Sequence, residues 1–143
     1  MFERMTRAIR FFLATTLATT GCRDELATYE DQGPRYEARA WITANANPNA
    51  FARNRFDSKE AARAFLDSLY ASGADTVYVL NVQQDSAWIQ REGGPYADAL
   101  LVRLPSDAAA RARLFEFGAR ETRSEGFEQE RDRGQRYLYF WWD

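Results

Sequence analysis

Residues 137–142 read YLYFWW, so large apolar or aromatic side chains occupy both the even and the odd positions. Successive side chains of a β-strand point to opposite faces of its sheet. The even set, Leu138, Phe140 and Trp142, can therefore enter a core. The odd set, Tyr137, Tyr139 and Trp141, must then lie on the other face. The sequence thus predicts a closing strand whose two faces both need cover from water.

Three further strands and two helices are predicted before this one. Period-two patterning and β-branched residues favour strands over 35–42, 75–83 and 97–104. Helical spacing and capping signals favour helices over 57–73 and 107–124. The resulting order is β-α-β-β-α-β, which is the split-βαβ, ferredoxin-like arrangement. We therefore expect an α+β domain, with a four-stranded antiparallel sheet and both helices on one face.

Composition narrows the chemistry that this chain can perform. It has 143 residues, enough for one domain, but it contains no His and a single Cys, Cys22. Ser/His and Cys/His catalysis and Cys/His zinc sites are thereby excluded. We expect neither a cofactor nor a metal, and the sequence favours a role other than catalysis. The net charge of −2, with no basic block, argues against a nucleic-acid partner.

The N-terminal residues carry a targeting pattern. Arg7 and Arg10 precede a mostly apolar or small stretch, residues 11–20, that is too short to span a bilayer. Cys22 comes directly after Gly21, in LATTGC. This pattern resembles a bacterial lipoprotein signal. The resemblance implies that residues 1–21 are cleaved and that Cys22 is lipidated. The alternative interpretation is an ordinary first helix with Cys22 as a buried thiol.

The resemblance also implies a location and a domain organisation. Because Arg23 and not Asp follows the Cys, the signal is similar to those of outer-membrane lipoproteins, so we expect a cell-envelope protein that faces the periplasm. Residues 22–34 are polar and end in Gly-Pro, which favours a short tether. Residues 35–143 then form the single domain.

The sheet face opposite the two helices is the predicted interaction surface. Aromatic and Arg side chains are enriched in protein interfaces, and such a patch is unusual on a monomer. Three interpretations remain open: cover by the chain's own loops or tether, self-association as a homodimer, and contact with another envelope protein. In a further alternative, a cofactor-independent enzyme or small-ligand binder, two sheets enclose a pocket as in dimeric α/β barrels. The predicted surface comprises Trp41, Arg39, Leu101, Arg103, Tyr137, Tyr139 and Trp141.

A weaker candidate precedes the first long helix. Arg53 and Arg55 lie just before a predicted helix N-terminus, which is a favourable place for an anion. The alternative is that the Asn and Pro residues of this loop make turns while both arginines are solvated.

Overall fold

A computed structural model describes residues 25–126 and 128–142, and it shows an α+β fold with a four-stranded antiparallel sheet. The predicted signal and Cys22 lie outside the described residues. A 3₁₀ segment, Glu25–Gln32, comes first. The strands are β1 (Tyr36–Glu37), β2 (Thr76–Leu80), β3 (Ala99–Arg103) and β4 (Tyr137–Trp141), and the helices are α1 (Ala38–Ala44), α2 (Lys59–Ala71), α3 (Ser86–Glu92) and α4 (Ala108–Glu125).

The strands lie in the order β1-β2-β3-β4, and each is antiparallel to its neighbour. The predicted four-stranded antiparallel sheet is therefore confirmed. The ferredoxin-like strand order is not, because that order places the first strand between the third and the fourth. Here β1 lies at the edge of the sheet and pairs with β2 alone among the described strands.

The predicted first strand, 35–42, is wrong over most of its length. Only Tyr36 and Glu37 are in β1, and α1 begins at Ala38. The Glu37 carboxylate accepts hydrogen bonds from the backbone N–H groups of Arg39 and Ala40. These bonds satisfy donors that a helix N-terminus leaves unpaired, so the cap outweighs the period-two pattern.

The sheet faces follow the predicted alternation. Leu138, Phe140 and Trp142 are buried in one core cluster with the even-numbered residues of β3 and with buried residues of α1, α2 and α4. Leu101 and Tyr137 belong to a second cluster on the opposite face. The inward and outward sets of the closing strand are thus as predicted, because the pleat leaves no freedom once one face is buried.

Helices α2 and α4 begin slightly later than predicted, each directly after a residue whose side chain caps it. Ser58 caps α2 and Asp107 caps α4, each by accepting a backbone N–H three residues later. A helix also forms where a loop is predicted: α3 starts after Asp85, which accepts the N–H of Trp88, and ends at Gly93 with φ of 82°. A capping side chain at the start and a left-handed Gly at the end thus set the limits of this short helix.

Two buried amides join the loop after α1 to the turn before β3. Asn45 and Asn47 are 5% and 1% exposed, and their amide groups donate to the carbonyl oxygens of Pro95 and Gly94. Each Asn also accepts the backbone N–H two residues on, so the loop is a pair of consecutive Asx turns. The GGPY stretch is thus a turn that docks against these amides.

Candidate functional site

The sheet face opposite the helices is covered by residues 25–32, which we call the cover segment. Leu26 and Tyr29 of this segment pack against the buried cluster that includes Leu101 and Tyr137. The rings of Tyr29 and Tyr139 stack with their centroids 5.4 Å apart. Part of the predicted tether is therefore folded against the domain, and it supplies the cover that the aromatic strand requires.

Hydrogen bonds hold the cover segment at both ends. At its start, the Glu25 carboxylate accepts the backbone N–H of Arg136 at 2.8 Å. At its end, the Gln32 carbonyl accepts the N–H of Asn81 at 3.0 Å, and the Tyr139 hydroxyl donates to the Gln32 side chain at 3.2 Å. Burial, followed by the nearby charge of Asp98, raises the pKa of Tyr139 to about 12, so this hydroxyl stays a donor in mildly alkaline solution as well as at neutral pH.

Five of the predicted surface residues lie on β3 and β4, and the cover segment packs against the cluster that contains three of them. Leu101 and Tyr137 are buried, and Tyr139 is half-buried beneath Tyr29. Arg103 is exposed at the end of β3. Trp141 is 39% exposed, and it is the one exposed large hydrophobic residue in the described part of the chain.

The other two predicted surface residues, Arg39 and Trp41, do not lie on this face. Both are in α1, because the strand predicted to carry them is largely helical. Arg39 pairs with Asp67 at 2.8 Å and stacks over the Tyr70 ring, and Trp41 packs at the edge of the main core. The predicted grouping of Trp41 with the aromatic residues of β4 is therefore wrong.

The two candidate anion-binding arginines already have carboxylate partners. Arg53 donates to Glu92 at 2.7 Å, and Arg55 donates to both carboxylate oxygens of Glu121 at 2.9 and 3.0 Å. Hydrogen bonds from Arg91 and Arg53 lower the pKa of Glu92, which keeps this carboxylate charged. An anion would have to displace these carboxylates, so the structure does not favour an anion site here.

A cavity lies beside the chain segment that links α4 to β4. Arg103 pairs with Tyr137, so β3 ends where β4 begins, and α4 runs for 18 residues, about 27 Å, away from that end. Residues 128–135, which we call the return segment, bring the chain back towards β4. A cavity of about 240 Å³ lies between α4, β4 and the return segment.

The cavity has apolar walls and an acidic rim. Its apolar walls come from β4 and α4, and Gly118 gives α4 the room to approach, since a methyl group there would lie 3.3 Å from Leu138. Glu128 and Glu130 contribute from the return segment, and Glu121 contributes from α4. The apolar lining residues are Phe115, Leu138, Phe140, Trp141 and Trp142.

The sequence contains only a partial signal for this cavity. The sequence shows an apolar strand and an apolar helix face joined by eleven residues, 126–136, many of them charged. It does not show how far apart the strand and the helix lie in the fold. Two carboxylates of the stretch EGFEQERD, those of Glu128 and Glu130, lie at this cavity.

Comparisons with protein-family models, with curated proteins and with solved structures each found no match. In residues 25–126 and 128–142, no helix has both the length and the apolar character needed to cross a membrane.

Proposed function

We propose that this protein is a lipid-anchored, envelope-facing interaction module, and that it associates with a second copy or with another envelope protein through the outer side of β4. The observation that supports this proposal is the exposure of Trp141 on the last strand of the sheet. Because the cover segment packs over Leu101, Tyr137 and Tyr139, the proposed contact is centred on Trp141 and not on the whole sheet face.

The backbone of β4 supports the same surface. Trp142 donates its N–H to Asp98, and Arg136 accepts the N–H of Leu104, so the even positions of β4 bond to β3. In an antiparallel ladder the backbone N–H and C=O groups of Tyr137 and Tyr139 then point away from β3. Edge strands usually carry charges or Pro that discourage association, and YLYFW has neither.

Light scattering on purified residues 23–143 tests the proposal. We expect wild type to have a dimeric mass, or to capture a discrete protein from envelope extract, and we expect Trp141→Ala to lose that association. Trp41→Ala is the matched control, because it removes a Trp from α1 and should leave association unchanged. Equal masses and equal capture for wild type and Trp141→Ala would refute an interface at β4.

A second function, small-ligand binding, is supported by the cavity. The cover segment lies on the sheet face, which disfavours a pocket between the sheets of two protomers. The space between α4, β4 and the return segment instead lies within one protomer. Because Trp141 and Trp142 line this space, a bound ligand should change the Trp fluorescence and raise the melting temperature.

A further inference from the structure

We infer that the cavity between α4, β4 and the return segment takes a small apolar amine, with its apolar body against β4 and α4 and its positive group at the acidic rim. This inference rests on the proposed small-ligand function and specifies the class of ligand. It follows from three properties of the cavity: its size, its walls and the charge at its mouth.

The size and the walls define the apolar body of the ligand. A dry apolar cavity of about 150 Å³ is large enough to bind benzene. At about 240 Å³, this cavity has room for one ring with a short side chain. Phe115 and Leu138 from opposite walls, together with Phe140 and Trp142, offer surface that loses contact with water when such a ring binds.

The rim defines the sign of the polar group. Glu121 is neutralised by Arg55, and within residues 25–126 and 128–142 this is the one ion pair formed by a lining carboxylate. Glu130 accepts a hydrogen bond from the uncharged amide of Gln135. The rim is therefore negative overall, so an ammonium group at the mouth is attracted and a carboxylate is repelled.

The charge of Glu130 also acts on the cover segment. Burial, followed by the charges of Glu130 and Glu25, raises the pKa of Tyr29 on the cover segment. Trp141 also lines the cavity, and an indole face attracts an ammonium group through its quadrupole. The walls and the rim therefore favour the same ligand, an aromatic or aliphatic amine.

Three probes of similar size that differ in charge test the preference for amines: phenethylamine, 2-phenylethanol and phenylacetate. Titration into residues 23–143 at low salt, followed by Trp fluorescence and calorimetry, should show phenethylamine binding at least about tenfold more tightly than phenylacetate, with the alcohol between them. Raising the salt concentration should reduce this difference, because the rim is open to solvent.

A charge-matched pair of variants tests the role of the rim. Glu128→Gln with Glu130→Gln should bring the three probes to within about twofold of one another. The control, Glu116→Gln with Glu60→Gln, removes the same charge from exposed positions outside the cavity and should keep the wild-type order.

The outcomes distinguish the two levels of the inference. If none of the three probes binds, the cavity is not a ligand site and the small-ligand function itself is wrong. If all three bind equally to wild type, the cavity holds apolar molecules but the preference for amines is wrong. If the rim variant keeps the preference for phenethylamine, the two glutamates do not set the charge selectivity.

Discussion

Gly94 lies where the turn before β3 comes closest to the loop after α1. A Cβ atom at this position would lie 2.4 Å from the Asn45 side-chain oxygen and 2.9 Å from the Asn47 backbone nitrogen. Gly94→Ala must therefore displace two buried, hydrogen-bonded amides. We expect it to lower the free energy of unfolding by roughly 2–3 kcal/mol, measured by urea denaturation.

The adjacent glycine is the control for this change. Gly93 has φ of 82°, but its added Cβ would come no closer than 3.8 Å to Ala46. Gly93→Ala should therefore cost only the left-handed strain of about 1 kcal/mol. A Gly94→Ala loss no larger than this would show that the amide contacts adjust freely and do not hold the loop.

At the scale of residues, the alternation of side chains between the two faces of β4 could be predicted from the sequence, whereas the partners in ion pairs could not. The pleat alone assigns Leu138 and Tyr139 to opposite faces, so no other part of the chain is needed. The partner of Arg53 is Glu92, which lies 39 residues further along the chain, and no local pattern links the two. Trp41 lies elsewhere than predicted because the chain enters α1 at Ala38, directly after Glu37, whose carboxylate caps the helix.

At the scale of elements, the cover segment should be separable from the rest of the fold. Its apolar contacts come from Leu26 and Tyr29, so the double change to Ala should release residues 25–32 while β2 to β4 stay paired. We expect faster amide exchange in this segment, stronger binding of a hydrophobic dye, and a loss of roughly 1–3 kcal/mol in unfolding free energy.

Thr28→Ala is the control for the double change of Leu26 and Tyr29. It tests whether the release of the cover segment comes from the lost apolar contacts and not from a change in the segment's own helical propensity. Thr28 is exposed on the same element, so its replacement should leave exchange and dye binding unchanged. Unchanged exchange in the double variant would mean that the hydrogen bonds of Glu25 and Gln32 hold the segment without the apolar contacts.

The fold class and most elements could be predicted, whereas cover by the tether was only one of several alternatives that the sequence left open. Strands β2 to β4 and helices α2 and α4 have clear periodicity, and none of them extends more than one residue beyond the range expected for it. Residues 25–32 are polar and lack periodicity, so they indicated a tether. The need for cover was visible in YLYFWW, but which segment provides it depends on tertiary packing, as does the cavity behind the return segment.

At the scale of the whole molecule, the targeting pattern predicts a modified Cys22. Expression of the full chain in a diderm bacterium with an alkyne fatty acid should label wild type and place it in the membrane fraction. Cys22→Ser should be unlabelled and should leave that fraction, because lipid chains supply its membrane affinity.

The mass of the purified protein provides the second readout. A lipoprotein lacks residues 1–21, and its mass is raised by the added acyl chains. An unlabelled wild type that keeps its N-terminal residues and a free thiol would contradict the lipoprotein interpretation and support the alternative, a buried Cys22.

The docking of the cover segment has a mechanical consequence for an anchored protein. Two residues, Arg23 and Asp24, separate Cys22 from Glu25, and even a fully extended chain spans only about 3.3–3.6 Å per residue. An anchor at Cys22 would thus hold the domain within about one nanometre of the lipid headgroups. With so short a connection the domain could neither rotate freely nor diffuse away from the membrane. Any partner would then have to bind β4 at the bilayer surface.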